Sequence, residues 1–394
     1  MTTYPPLPTT RPLLDPPPEY AKWQAEEPVR RVALWGDNSP WLVTRHEHAR
    51  AVLSDARFSA DGTRDGYPGL RPQPTPRAPG QIFMMDPPDH TRLRRMLIPD
   101  FTFRRVEQLR PAVARLCDGL IDTMTADGAT GTDFVESFAL PLPSLVICEL
   151  LGVPYEDHDF FQRQARAFIS IATKPQEALA ARTALYGYLG ELLAQRMKEP
   201  ADDLLSRLAT ERVATGEATA EEAVGISFVL LLAGHETTAN MLALSLVALL
   251  RNPEQLAALR ADPGLWPGAV EELLRYLTVV HAGIRRVATA DVEVGGVLIR
   301  AGEGVIVSLQ AANRDPAAFT DPDRLDVTRD ADRHLAFGHG LHQCVGQSLA
   351  RAELQICLPV LFTRLPELRL AAAPEDFALQ ASAVHGMRSL PVEW

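Results

Sequence analysis

Three short segments of this chain hold residue types at spacings that could do chemistry. In Phe337-Gly338-His339-Gly340-Leu341-His342-Gln343-Cys344-Val345-Gly346, one cysteine stands among three glycines, which permit backbone turns and close approaches that side chains would block. A helix is predicted to begin just after Cys344. Unpaired amides and the positive end of the helix dipole then favour thiolate over thiol, and a stabilised thiolate is a metal ligand or a nucleophile. Cys117, Cys148 and Cys357 read instead as buried structural residues, and no C-x-x-C pair is present. The second segment, Ala233-Gly234-His235-Glu236-Thr237-Thr238, interrupts a long apolar run. Burying an acid and two hydroxyls there costs ~1 to 3 kcal/mol for each group left unsatisfied. An acid beside an alcohol makes a proton-delivery path; equally, the hydroxyls could bond back to the preceding turn and bend the helix. The third segment is Glu272-Leu273-Leu274-Arg275, whose ends share a helix face. The same spacing recurs at Glu27/Arg30, Glu47/Arg50 and Glu107/Arg110, where a surface pair is worth only a few tenths of a kcal/mol. What singles out the fourth copy is its place between the apolar helix and the cysteine loop.

The elements that must hold these groups are mostly helical. Apolar residues recur at helical spacing through 88–128, 141–151 and 176–209. The run 221–250 is apolar nearly all round, so it is predicted to be a long helix in the middle of a large core. Pro267 to Tyr276 reads as a helix, Pro40 to Thr44 as a short strand, and His46 to Ser54 as a helix. VEVGGVLIRAGEGVIVSL reads as a β-rich run with glycine turns, followed by an irregular stretch from Asn313 to His334. Prolines crowd an N-terminal arm, residues 1–35, and a loop at 60–88 whose length inside a compact domain suits a substrate lid. The expectation is a mainly α protein with a minor β region, one domain over residues 1–394. At 394 residues, with 46% hydrophobic and 23% charged residues, the composition is globular. The net charge of -11 argues against a nucleic-acid partner. No secretory leader and no uninterrupted apolar span is read, so a cytoplasmic protein with no membrane contact is expected.

In this order the three segments resemble the cytochrome P-450 family of haem-thiolate monooxygenases. The haem loop F-x-x-G-x-H/R-x-C-x-G is matched by Phe337, Gly340, His342, Cys344 and Gly346; A/G-G-x-D/E-T by Ala233, Gly234, Glu236 and Thr237; E-x-x-R by Glu272 and Arg275. Asn313-Arg314-Asp315-Pro316 is similar to the start of the family's meander, and the likeness covers nearly the whole chain. The soluble form resembles actinomycete enzymes that tailor secondary metabolites or oxidise foreign compounds.

The resemblance implies a prism of helices holding haem b between the long central helix and the last long helix. Cys344 would be the axial iron ligand, with Phe337, Gly338, Gly346 and Ala233 against the haem. His90, Arg94, Arg286 and His342 would hold its propionates. Thr237 and Glu236 would serve oxygen activation by positioning and proton relay, while Glu272 and Arg275 are structural. Val229, Leu232, Ala233, Val280, Ala282, Gly283, Ala383 and Val384 would wall a bulky hydrophobic substrate, a polyketide or macrolide, terpenoid, steroid-like molecule or xenobiotic, most simply hydroxylated. Phe83 to Met85 and Phe168 to Ile171 are weaker candidates for the same wall. Electrons would come from a ferredoxin and ferredoxin reductase, docking near Arg92, Arg95, Arg104 and Arg105, and the enzyme would work as a monomer. Two other classes use the same loop: a zinc site from His339, His342 and Cys344, and a haem sensor or carrier without oxygenase activity. The first leaves the Ala-Gly-His-Glu-Thr segment unexplained; the second has no need of Glu236 beside Thr237.

Overall fold

The longest apolar run becomes the axis around which the other helices pack. In the computed structural model, which describes residues 4–8, 10–70, 78–169, 173–373, 376–380 and 383–394, the helices in chain order are α1 (Glu19–Glu26), α2 (His46–Ser54), α3 (Asp89–Leu97), α4 (Phe103–Met124), α5 (Pro141–Leu151), α6 (His158–Ile169), α7 (Pro175–Lys198), α8 (Leu204–Arg207), α9 (Ala220–Leu250), α10 (Pro253–Ala261), α11 (Trp266–Leu277), α12 (Leu309–Ala312) and α13 (Gln347–Arg364). The strands are β1 (Val29–Arg31), β2 (Trp41–Val43), β3 (Phe58–Ser59), β4 (Gly131–Asp133), β5 (Ile284–Ala288), β6 (Val292–Val294), β7 (Val297–Ile299), β8 (Gly304–Val307), β9 (Arg369–Leu370) and β10 (Pro391–Glu393).

Helix α9 starts at a reciprocal cap: the Glu222 amide donates to the Thr219 hydroxyl, and the Thr219 amide donates to the Glu222 carboxylate. Its 31 residues span about 46 Å at ~1.5 Å per residue. With apolar side chains on every face, the helix is stable only if covered all round, and α5, α7, α11 and α13 pack against it. Helix α13 lies in turn on α4 and α11, and one apolar cluster runs from Leu14 to Val392.

The five-stranded sheet has the order β1-β2-β8-β5-β3. β8 sits at its centre because all four of its residues are buried, as a strand covered on both faces requires. It runs parallel to β2 (Trp41↔Val305) and antiparallel to β5 (Arg285↔Ile306, Arg286↔Val305). Alternation divides its side chains: Val305 and Val307 join Leu53 and Leu335, whereas Ile306 joins Tyr20 and Trp23 on the other face. Gly295 and Gly296, both at positive φ, turn β6 into β7.

Two features depart from the sequence-based expectation. The Pro-rich arm contains α1 and β1; Tyr20 and Trp23 are buried against Ile306 and Leu42, a long-range contact that local composition does not disclose. The stretch 284–288, singled out in the sequence only for Arg286 as a propionate partner, forms the strand β5 that pairs with β8 and β3. Part of the predicted lid, residues 71–77, lies outside the described residues.

Candidate functional site

The cysteine loop is shaped by its glycines and its hydrogen bonds. Gly338 and Gly340 both have φ of +71°. A Cβ on Gly340 would stand 2.4 Å from the carbonyl oxygen of Leu53 at the end of α2, so glycine is required there twice over. The Cys344 amide donates to the Phe337 carbonyl at 2.9 Å and the Gly338 amide to Leu335 at 2.8 Å, closing the loop ahead of α13. The Cys344 side chain is open to a cavity of about 410 Å³ while protein surrounds it otherwise. Burial pushes its thiol pKa up, and a hydrogen bond from Gly346 with the charges of Arg94 and Arg351 only partly reverses this. Desolvation thus offsets the amides at the helix start that were expected to favour the thiolate.

Across the cavity from this loop runs the middle of α9. Ala233, Gly234, Thr237 and Thr238 line the cavity together with Cys344. Thr237 Oγ1 donates to the Ala233 carbonyl at 2.6 Å, the back-bond that the sequence left open beside the chemical reading, and α9 continues unbroken through it. Glu236 is half-buried and does not line the cavity.

The cavity is cationic on one flank. Arg286 is buried and lines it, as does His342. His90, also buried, stacks on His342 with ring centres 4.1 Å apart, and Arg94 donates to the Gln343 carbonyl at 2.6 Å. Burial and the neighbouring arginines depress His342 to about 3; burial first, then Arg94, depresses His90 to about 4. Arg286 donates to the Arg285 carbonyl and has no ion pair among the described residues. The sequence reading missed Arg285, which lines the cavity beside it; an Arg-Arg pair in a short strand was the available signal.

Of the expected substrate wall, Ala233, Val280 and Gly283 line the cavity, and Phe83 stands at it partly exposed. Val229 is buried and Leu232 packs against the main apolar cluster, and neither lines the cavity. Ala282 and His281 donate their amides to the Ala383 carbonyl, and Val384 bridges Val280, so these residues back the wall from behind. Met84 and Met85 are buried, and Phe168 packs on Phe228; the side chain of Ile169 and all of Ser170 and Ile171 lie outside the described residues. The cavity also meets Leu230, Met241, Val279 and Leu309, which looked like ordinary core from sequence.

Glu272 and Arg275 are wholly buried and joined by two bonds, Nε to Oε2 at 2.6 Å and Nη2 to Oε1 at 2.8 Å. Arg275 also donates to the carbonyls of Asn313 and Pro322, and Glu272 accepts from the Asp326 amide and Arg329. The pair thus clamps the irregular stretch leading to the cysteine loop. A second clamp escaped the sequence reading. Because the Ala336 amide donates to His334 Nδ1, the proton is on Nε2, which donates to Glu271, and Glu271 also accepts from Arg351 of α13. Burial raises the Glu271 carboxyl, but these donors outweigh it and hold it below its ordinary value.

Among the described residues no three His, Cys, Asp or Glu side chains converge as metal ligands. The zinc reading of His339, His342 and Cys344 is overturned, since His342 turns to His90. Two of the four arginines expected to dock a partner are already paired, Arg92 with Glu222 and Arg105 with Asp202; Arg95 and Arg104 remain exposed. No helix among the described residues is long and apolar enough to cross a membrane.

A mainly helical fold that presents one cysteine to a deep cavity, beneath a threonine-bearing helix and beside buried cations, is that of a haem-thiolate enzyme. Comparison with known proteins agrees. Residues 265–366 match the family model described as Cytochrome P450. "Cytochrome P450-SU2" of Streptomyces griseolus is 51% identical over 389 residues, 96% of this chain and 94% of that one. "Vitamin D3 dihydroxylase" of the same species is 48% identical over 370 residues, covering 93% and 91%. The crystal structure of MoxA from Nonomuraea recticatena superposes with a TM-score of 0.92 at 46% identity, over 99% of this chain and 98% of that one. This chain belongs to the cytochrome P450 family. It is a monooxygenase, its cofactor is haem b, and bacterial members of this type use oxygen with electrons from ferredoxin and a reductase. The reading as a haem carrier without oxygenase activity falls away. The residues present fit the cofactor: a thiol faces the cavity, and Arg286 and the otherwise unpartnered His90 Nδ1 are available to anions.

Proposed function

We propose that this enzyme hydroxylates a bulky, largely apolar small molecule in the cavity between Cys344 and Thr237. The observation that carries the reading is that one cavity joins the cysteine, the α9 threonine and the buried cations. Haem bound there supplies the oxidising chemistry. Cys344 holds its iron, with the Gly346 amide donating to the sulfur. Phe337, over which Arg351 sits at 4.5 Å, shields the ligand side from water, and the turns at Gly338 and Gly346 with the small Ala233 leave room for the ring. Arg286 and Arg94 would neutralise the propionates, which would otherwise be buried anions, and the uncharged His342 and His90 would donate hydrogen bonds to them.

Thr237 Oγ1 hands on a proton when it gives up its bond to the Ala233 carbonyl, and Glu236, one residue earlier and half-buried, supplies protons from solvent. Ala233, Val280 and Gly283 orient the substrate; Val229, Leu232, Ala282, Ala383 and Val384 support that wall. The apolar lining and the vitamin D3 named for one relative support a secondary metabolite or xenobiotic, whether macrolide, terpenoid or steroid-like. The loop at 60–88 admits it. A ferredoxin with its reductase, meeting the exposed Arg95 and Arg104, delivers electrons in the cytoplasm, and the chain acts as one domain and as a monomer.

The test is a reduced carbon monoxide spectrum followed by turnover. Wild type is expected to give the strongly red-shifted thiolate band and Cys344→Ser to lack it. Thr237→Ala is expected to keep the band while diverting reductant to peroxide. Full coupling of reductant to product in Thr237→Ala would refute the proton-transfer role.

A further inference from the structure

Arg285 is a buried cation that forms no ion pair among the described residues; Glu353, the acid that lines the same cavity, makes none with it. Arg285 is 9% exposed and lines the same cavity as Cys344 and Thr237. Of the five N–H donors on its guanidinium, Nη2 donates to the Ala282 carbonyl at 3.1 Å, and Nε has no partner among the described residues. Of the other buried arginines, Arg286 beside the cysteine loop likewise has no ion pair among the described residues and is assigned to a propionate, while the rest are provided for. Arg275 has Glu272, Arg314 has Asp15 and Asp323, and Arg11 donates to the carbonyls of Leu14, Asp15, Leu277 and Thr278.

Strand geometry separates Arg285 from its neighbour. In β5, Arg286 lies opposite Val305 and Arg285 opposite Ile306, and those two β8 residues belong to clusters on opposite faces of the sheet. Arg286 therefore leaves the strand on the face of Leu53 and Leu335, next to the cysteine loop. Arg285 leaves on the other face and bends back to Ala282, beside the cavity-lining Gly283. Tyr67, which also lines the cavity, is close enough to both Arg286 and Arg285 for their charges to act on its hydroxyl. A hydroxyl and an underused guanidinium at one apolar wall form a two-point site for a carboxylate.

We propose that Arg285, with Tyr67, recognises a carboxylate on the substrate, so that the preferred substrates are apolar organic acids. This rests on the reading of the cavity as a haem and substrate site. A guanidinium left without an anion in that wall would carry its full desolvation cost, and a neutral substrate would leave it so.

The experiment uses the haem-loaded enzyme and probes that bind through the iron whatever the natural substrate is: imidazole-tipped straight-chain carboxylic acids of graded length, each with its methyl ester. Affinity is read from the absorbance change on azole ligation in wild type, Arg285→Gln and Arg285→Lys. For at least one chain length the wild type is expected to bind the acid roughly tenfold or more tightly than the ester, the range of a charge-assisted contact. Arg285→Gln should bring that ratio to within about threefold by weakening the acid alone, and Arg285→Lys should retain part of it. Equal affinity for acid and ester at every length overturns the proposal, as does equal weakening of both in Arg285→Gln. Loss of haem from folded Arg285→Gln would also overturn it, assigning the residue to a propionate. Absence of the thiolate band in wild type would sink the underlying reading instead.

Discussion

Replacing Arg275 by Met keeps most of the volume of that side chain and removes its charge from the centre of the molecule. Five donor contacts are lost, to Glu272 at 2.6 and 2.8 Å, to the carbonyls of Asn313 and Pro322 at 2.8 Å each, and a long one to the Arg324 carbonyl at 3.5 Å. Breaking a buried pair by removing one partner costs ~3 to 5 kcal/mol, because the other charge stays buried. Arg329 and the Asp326 amide still reach Glu272, which places that part of the loss at the lower end. Each orphaned carbonyl adds about 1 kcal/mol or more unless water reaches it. A total of about 5 kcal/mol would be a large share of the ~5 to 15 kcal/mol by which a typical domain is stable. The loss also falls on the segment that presents Cys344, so haem retention should fail together with stability. The control is built into the chain. Glu107/Arg110 has the same spacing, but its closest approach is 3.6 Å and both side chains are substantially exposed, with one long bond from Arg110 to Gln355. Arg110→Ala should therefore cost about 0.5 kcal/mol or less. Urea unfolding followed by far-ultraviolet dichroism, with haem content and the reduced carbon monoxide band measured in parallel, reads both effects. If Arg275→Met lay within about 1 kcal/mol of wild type and kept a full thiolate band, the clamp argument would be refuted.

Glycines can be sorted the same way: Gly340→Ala should destabilise by about 2 kcal/mol or more and weaken haem retention, whereas Gly119→Ala in α4, where an added Cβ meets nothing within 4 Å, should raise stability by ~0.4 to 1 kcal/mol. Thermal unfolding of the two variants checks this, and a neutral Gly340→Ala would count against it. Glu353 is buried and its pKa is pushed up to about 8 by desolvation. The unfolded chain gives up that proton near its ordinary pKa and the folded one does not, so stability falls between about pH 4.5 and pH 8. Glu353→Gln should remove this decline and be the more stable form at pH 8 by a few kcal/mol, measured by urea unfolding across that range. His385 is depressed to about 3 by burial, then by Arg11, while Nε2 binds the Leu13 carbonyl. There the unfolded chain takes up the proton first, so stability is lost as pH falls below about 6.5. His385→Gln should flatten that acid limb by up to about 1.4 kcal/mol per pH unit, and an unchanged limb would show that other groups govern it.

Local pattern accounts for much of what was legible beforehand. The all-round apolar run announces α9, the paired glycines announce the β6–β7 turn, and the glycines around Cys344 announce a loop that approaches another backbone. These signals depend on neighbours a few residues apart, and chain chirality and solvent exclusion act on them wherever the segment lies. Cys344, Thr237 and Glu272/Arg275 stand out as candidates for the same reason, helped by their order along the chain.

Other properties exist only after distant segments meet. Four Glu/Arg pairs share one spacing, and only burial beneath the irregular stretch makes Glu272/Arg275 a clamp and leaves Glu107/Arg110 on the surface. Arg285 and Arg286 are adjacent and identical, and the register of β5 on β8 sends them to opposite faces. Leu230, Met241 and Val279 line a cavity instead of filling core because the helices around α9 leave a gap there. Residue type fixes what a side chain can do, whereas dielectric and counter-ion are set by whatever the fold brings within a few ångströms of it.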